Sequence, residues 1–206
     1  MATDSEPQAM HPPDARIGVS AAAAAPDVPI IVAVMGLPGA GKSVVARALE
    51  DQLRLRRVCR DAIRAAMFPQ CEHSFIEKRA AWRGVLLALE INCMLRVGSV
   101  IDGTTFSRRS ELERVAAIGA RHRIVTIPLF VDCPPAIARE RVARDVAANR
   151  HGARDRTPEL VNDVLARREP PPAEALRVDG ALPAAQLCRA AVAAIRDSIA
   201  AASRAG

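Results

Sequence analysis

An unbroken apolar run, Ile30-Ile31-Val32-Ala33-Val34-Met35, ends at a glycine. A short β-branched run bounded by a turn residue reads as a strand buried on both faces of a parallel sheet. The period then changes. From Lys42 to Leu53, Val44, Val45, Ala48 and Leu49 are expected on one helical face. Arg57-Val58-Cys59 reads as a short strand with a helix opening near Asp61. Ser74-Phe75-Ile76-Glu77 is a capping box for a long helix whose apolar positions Ala81, Val85, Ala88, Ile91 and Leu95 recur until Gly98 stops it. Ser99-Val100-Ile101-Asp102 is another buried strand, and Ser110-Glu111-Leu112-Glu113 a second capping box. Ile124 to Val131 reads as a strand, Pro135 to Ala147 and Pro158 to Arg168 as helices, Leu176 to Val178 as a short strand, and Ala184 to Ala201 as a closing helix.

Strands alternating with helices predict an α/β protein with three layers, a mostly parallel sheet covered by helices on both faces, and ligands at the carboxyl ends of the strands. A length of 206 residues suits one domain. Residues 1–27 mix Pro, Ala, Asp and Ser without periodicity, so they are expected to form a disordered tail, and residues 28–206 the domain. No apolar stretch approaches 18 residues, and the Ala21 to Ala25 run is too short for a signal-peptide core. The expected location is the cytoplasm, away from membranes. The 5 cysteines, odd in number and without a C-x-x-C pair, are expected to be reduced thiols there.

The net charge of +6 comes almost wholly from arginine, since Lys42 and Lys78 are the only lysines. Biased coding composition and binding of anionic substrates both explain that excess. There is no Tyr, and Phe68, Phe75, Trp82, Phe106 and Phe130 are expected in the core. A single-stranded nucleic-acid binder would want exposed aromatic platforms, so nucleic acid is not the favoured partner.

The chemistry starts directly after the first strand. Gly36-Leu37-Pro38-Gly39-Ala40-Gly41-Lys42-Ser43 is a phosphate-binding loop, followed by Val44 at the start of the helix. Its glycines let backbone N–H groups converge on an anion at a helix N-terminus, Lys42 adds a mobile positive charge, and the Ser43 hydroxyl is suited to Mg²⁺. ATP and Mg²⁺ are therefore the expected cofactors. Asp102, closing its strand before Gly103-Thr104-Thr105, is a candidate for a second carboxylate on the Mg²⁺ shell or an ordinary turn residue. Asp61 and Arg64 could orient an acceptor hydroxyl and anchor a substrate anion, or form a surface ion pair at i,i+3. Arg139, Arg141 and Arg144, followed by Arg150, Arg154 and Arg156, suggest either a lid over residues 139–157 or a solvated basic helix. No chemistry is assigned to His11, His73, His122 or His151.

The segments GLPGAGKS, RDAIRAAMFP, VIDGTTFSRR, ARERVARD and EPPPAEALRVD together resemble the small bacterial P-loop kinases labelled AAA-domain kinases. These are similar to the kinase domain of phage polynucleotide kinase, to zeta toxins and, more distantly, to adenylylsulfate and gluconate kinases. The resemblance covers about residues 29–180. It implies Asp61 as the acceptor-activating carboxylate, Arg64 as a substrate-binding arginine, Asp102 as the metal-site acid, and Arg141 and Arg144 as catalytic lid residues. Arg60 stands where relatives often carry a small Ser or Thr. The Glu169-Pro170-Pro171 stretch and Val178-Asp179 resemble the family's segment near the adenine pocket.

The expectation is an ATP-dependent kinase moving the γ-phosphoryl group to a hydroxyl of a small, anionic acceptor, as a monomer or homodimer. The alternatives are a non-catalytic ATP-binding regulator, or a kinase for adenylylsulfate, a nucleotide-sugar or a nucleic-acid 5′-hydroxyl. A GTPase would need a guanine-reading Asn- or Thr-Lys-x-Asp motif, for which neither lysine is placed. A ring-forming ATPase would need a further helical domain.

Overall fold

The computed structural model describes residues 28–148 and 157–205. Five strands form one sheet: β1 (Ile30–Met35), β2 (Arg56–Cys59), β3 (Ser99–Asp102), β4 (Val125–Asp132) and β5 (Leu176–Asp179). Their spatial order is β2-β3-β1-β4-β5, and every pairing is parallel. Seven helices are described: α1 (Lys42–Leu53), α2 (Arg60–Met67), α3 (Phe75–Met94), α4 (Arg109–Arg121), α5 (Pro135–Ala147), α6 (Pro158–Arg167) and α7 (Ala184–Ala205).

Successive strand residues point to opposite faces, so β1 divides its apolar residues between two cores. Val32 and Val34 pack with Leu49 of α1, Val142 of α5, Val161 of α6 and Leu187 and Ile195 of α7. Ile31, Ala33 and Met35 pack with Val85 and Leu89 of α3 and Leu112 and Val115 of α4. These are the two helical layers implied by unalternating apolar strands. β1 lies between β3 and β4, and the chain builds outward to β2 on one side and β5 on the other. The carboxyl end of β1 is therefore the topological switch point, where ligands enter such sheets.

Several expected faces are rotated by about one residue. In α1 the buried positions are Val45, Ala46, Leu49 and Leu53, while Val44 is exposed. In α3 the buried seam runs through Ala81, Val85, Leu89 and Cys93, leaving Ile91 and Leu95 exposed. Asn92 is buried beside that seam because its amide donates to Ser99 Oγ at 3.0 Å and accepts from Arg56 at 3.2 Å. Tertiary hydrogen bonding thus outweighed the apolar count in choosing the buried face.

Ser74 does cap α3. Its hydroxyl accepts from the Glu77 N–H, and the Glu77 carboxylate accepts from the Ser74 N–H at 2.7 Å. The second box lies elsewhere than expected: Glu111 accepts from the Arg108 N–H at 3.3 Å, so α4 starts before Ser110. Phe106 and Phe130 are core residues, whereas Phe75 is 75% exposed, and Phe68 and Trp82 are half-buried. The expected tail, residues 1–27, and the lid residues Arg150, Arg154 and Arg156 lie outside the described residues.

Candidate nucleotide and acceptor site

The loop Gly36 to Ser43 leaves β1 at the switch point and runs straight into α1. Gly39 has a φ of +80°, and a Cβ there would collide with the Ala138 carbonyl oxygen of α5. Only glycine allows both the left-handed turn and this close approach. Backbone bonds fix the loop: the Ala40 N–H donates to Leu37 O at 3.1 Å, and the Gly36 N–H to Thr105 O at 3.3 Å. Lys42 Nζ folds back on the loop, donating to the carbonyls of Gly36 at 3.0 Å and Leu37 at 2.7 Å. Val44, out of the core, stands on the first turn of α1 beside the loop.

Asp102 closes β3 next to this loop and is only 2% exposed. A buried carboxylate needs partners, and it has three. Ser43 Oγ donates to Oδ1 at 2.8 Å, the Gly103 N–H donates to the same oxygen at 2.7 Å, and Arg57 donates to Oδ2 at 3.3 Å. Ser43 and Asp102 thus form a pair of hard oxygen donors, one of them anionic, beside the phosphate loop. That chemistry fits Mg²⁺ held partly through its waters.

Cys59 of β2 is in register with Asp102 of β3, which brings the start of α2 beside the same strand end. Gly103, at φ +73°, makes the approach possible: a Cβ there would lie 3.2 Å from Asp61 Oδ2. Asp61 pairs with Arg64 at 3.0 Å, and Arg64 is buried. The pair is not a surface ion pair, because its guanidinium lies in the interior while the carboxylate stays part-exposed. Burial pushes the neighbouring Cys59 thiol upward, away from reactive thiolate.

The arginines of α5 point elsewhere. Arg141 donates to the carbonyls of Gly180 at 2.6 Å, Ala181 at 3.3 Å and Leu182 at 3.4 Å, tying α5 to the turn after β5. Arg144 is exposed and pairs with Glu140 at 2.6 Å, and Arg139 donates to Asn162 at 2.9 Å. Glu169 lies at the β3–α4 connection, accepting from the Arg109 N–H and donating its own N–H to Ser107 O. A cavity of about 440 Å³ opens beside Leu37 at the ends of β4 and β5, walled by Cys133, Pro134, Arg168 and Arg177. The two guanidiniums lie 5.2 and 5.3 Å from the centre of the Phe130 ring.

Arg57 and Glu50 escaped the reading of the sequence. Arg57 bridges Asp102 and Glu50, the latter at 2.8 Å. The β2–β3 register brings Arg57 to Asp102, 45 positions away along the chain, and the return of the chain from α1 to β2 brings it to Glu50, 7 positions away.

A family model described as an AAA domain matches residues 31–171. The chain belongs to that AAA-domain family. A curated relative, a nucleotide-binding protein of Nitratidesulfovibrio vulgaris, is 32% identical over 124 residues. The match takes in 58% of this chain and 36% of the relative, so the chain spans about a third of that protein's length. Among solved structures, a gluconokinase from Sinorhizobium meliloti 1021 superposes with a TM-score of 0.66 at 18% identity, covering 86% of this chain and 98% of that one. The APS kinase CysC of Mycobacterium tuberculosis, solved with AMPPNP and APS, gives 0.60 at 16% identity, covering 83% and 99%. These likenesses show that the AAA-domain chain shares the P-loop α/β fold of those structures.

Proposed function

We propose that this protein is an ATP-dependent phosphotransferase that moves the γ-phosphoryl group to a hydroxyl of a small anionic acceptor. The observation that carries the proposal is the packing of Asp61 against Gly103, which sets an acceptor-type carboxylate beside the Ser43–Asp102 donor pair. A protein that only bound nucleotide would need no acceptor-activating carboxylate at that point.

The roles follow from chemistry. The N–H groups of Gly39, Gly41, Lys42 and Ser43 would receive the phosphates, and Lys42 would exchange the loop carbonyls for the transferring phosphoryl oxygens. Ser43 and Asp102 would hold Mg²⁺, which supplies charge neutralisation across the terminal phosphates. Asp61 would orient the acceptor hydroxyl and take its proton. Arg64, buried at the base of the pair, would fix Asp61 and meet an anionic group of the acceptor. Arg144 is exposed and unburdened by the core, so lid closure could carry it to the phosphates. Arg141 would act at one remove, by holding the turn after β5.

The acceptor chemistry is supported by basicity at the strand ends: Arg60 and Arg64 lie on the helix that follows β2, and Arg168 and Arg177 line the cavity beside Leu37. The fold shared with a gluconokinase and an APS kinase makes hydroxyls of small polar molecules the first acceptors to try. The decisive experiment is a screen of such acceptors, with adenylylsulfate, nucleotide-sugars and 5′-hydroxyl oligonucleotides, using γ-labelled ATP. Transfer of label to one small anionic acceptor supports the proposal. Mg²⁺-dependent ATP binding with no transfer to any acceptor would favour the regulatory alternative.

A further inference from the structure

Four side chains form a chain of contacts that starts at the phosphate loop and ends on α1: Ser43, Asp102, Arg57 and Glu50. The contacts are 2.8 Å, 3.3 Å and 2.8 Å in turn. Burial rises toward the middle. Asp102 is almost wholly enclosed, while Arg57 and Glu50 retain 27% and 37% of their side-chain exposure.

A carboxylate buried to this degree needs a compensating charge at all times. With Mg²⁺ and nucleotide bound, that charge would come from the metal held by Ser43 and Asp102. Without them, Arg57 is the cation in contact with Asp102. The two roles conflict, because a guanidinium on one carboxylate oxygen repels a divalent cation drawn to the other. Glu50 resolves the conflict. It holds the Nε side of the Arg57 guanidinium at the shorter distance, leaving the Nη1 end to reach Asp102. A small rotation about that anchor would part Arg57 from Asp102 without exposing either carboxylate unpaired.

Resting on the Mg·ATP reading of the site, we infer that Arg57 is a resident counter-cation for the metal-site carboxylate Asp102, which it yields to Glu50 when Mg²⁺ binds. Arg57 is a positioning residue, and its function is to set how much Mg²⁺ the site demands. The pair Arg57–Glu50 comes from β2 and α1, outside the phosphate loop, so the metal requirement can be tuned without altering the loop itself.

The inference makes opposite predictions for neighbouring residues, which a merely structural role would not. Magnesium chloride is titrated into the full-length protein with a fluorescent ATP analogue, reading the half-saturating Mg²⁺ concentration. Arg57→Gln removes the competing charge and should lower that concentration by about threefold, the size of a partly screened ion pair. Glu50→Gln leaves Arg57 with Asp102 alone and should raise it by about as much. Arg57→Lys keeps the charge and should stay near wild type. Circular dichroism of each variant checks folding, and Arg57→Lys and Glu50→Gln carry the test if Arg57→Gln unfolds. Shifts of Arg57→Gln and Glu50→Gln in the same direction, or a Glu50→Gln value equal to wild type, overturn the inference. If wild type binds the analogue without any Mg²⁺ dependence, the reading of the metal site fails, and the inference with it.

Discussion

Lys42 shows most plainly what a single residue does here. Its ammonium is satisfied by two carbonyls of its own loop, Gly36 and Leu37. The loop therefore holds its shape around a charge that can be transferred to phosphate, since a charge-assisted bond to phosphate is stronger than one to a neutral carbonyl. Lys42→Ala should weaken ATP binding by roughly ten- to a hundredfold, the loss of one charged hydrogen bond of about 1.5–3 kcal/mol. Isothermal titration reads that loss, and an unchanged far-UV spectrum shows that the fold persists. At this scale the sequence was readable wherever function is written contiguously. Gly36 to Ser43 is such a stretch, and Asp102 could be proposed because strand ends have a meaning in parallel sheets. Arg57 could not, since its partner is fixed by the β2–β3 register rather than by any spacing. Arg141 is a catalytic lid residue by family resemblance, and in the structure its guanidinium donates to three carbonyls of the turn after β5.

At the scale of elements, patterns of period and caps located every strand and helix of the described chain, and erred by about one residue on parts of the buried faces of α1 and α3. α1 and α3 contain apolar residues on more than one face, so counting them leaves the buried face ambiguous by about one residue. Tertiary partners decide it, as Asn92 with Ser99 and Arg56 does in α3. Local signals were surer where a side chain answers its own backbone. Ser74 and Glu77 satisfy N–H groups at the start of α3 that would otherwise be left unpaired. Ser74→Ala should cost about 1 kcal/mol. Urea unfolding followed by helical circular dichroism measures this, and a smaller change in midpoint would mean that the Glu77 carboxylate alone suffices.

On the scale of the whole molecule, the sheet brings distant segments to one rim. The phosphate loop after β1, Asp102 at the end of β3 and the Asp61–Arg64 pair after β2 meet because three parallel strands lie side by side in the order β2-β3-β1. Leu129 of β4, fully buried against β1 on the other side, supports this rim from within. Leu129→Ala should cost about 2–5 kcal/mol, transfer and cavity terms together. Thermal unfolding with and without ATP would register the loss. The alternation of strands and helices made this architecture legible early, while the order of strands, and with it the meeting of Asp61 with Gly103, depends on long-range packing that no local pattern encodes.

In the proposed function, a phosphoryl donor site and the acceptor-activating carboxylate of Asp61 act side by side. The direct measurement compares wild type and Asp61→Asn for two quantities, the dissociation constant of Mg·ATP and the rate of label transfer to the acceptor found by screening. Asp61→Asn should keep an ATP affinity within about twofold of wild type and transfer label more slowly by roughly a hundredfold or more, the usual worth of a positioned general base. Undiminished transfer by Asp61→Asn would contradict that role.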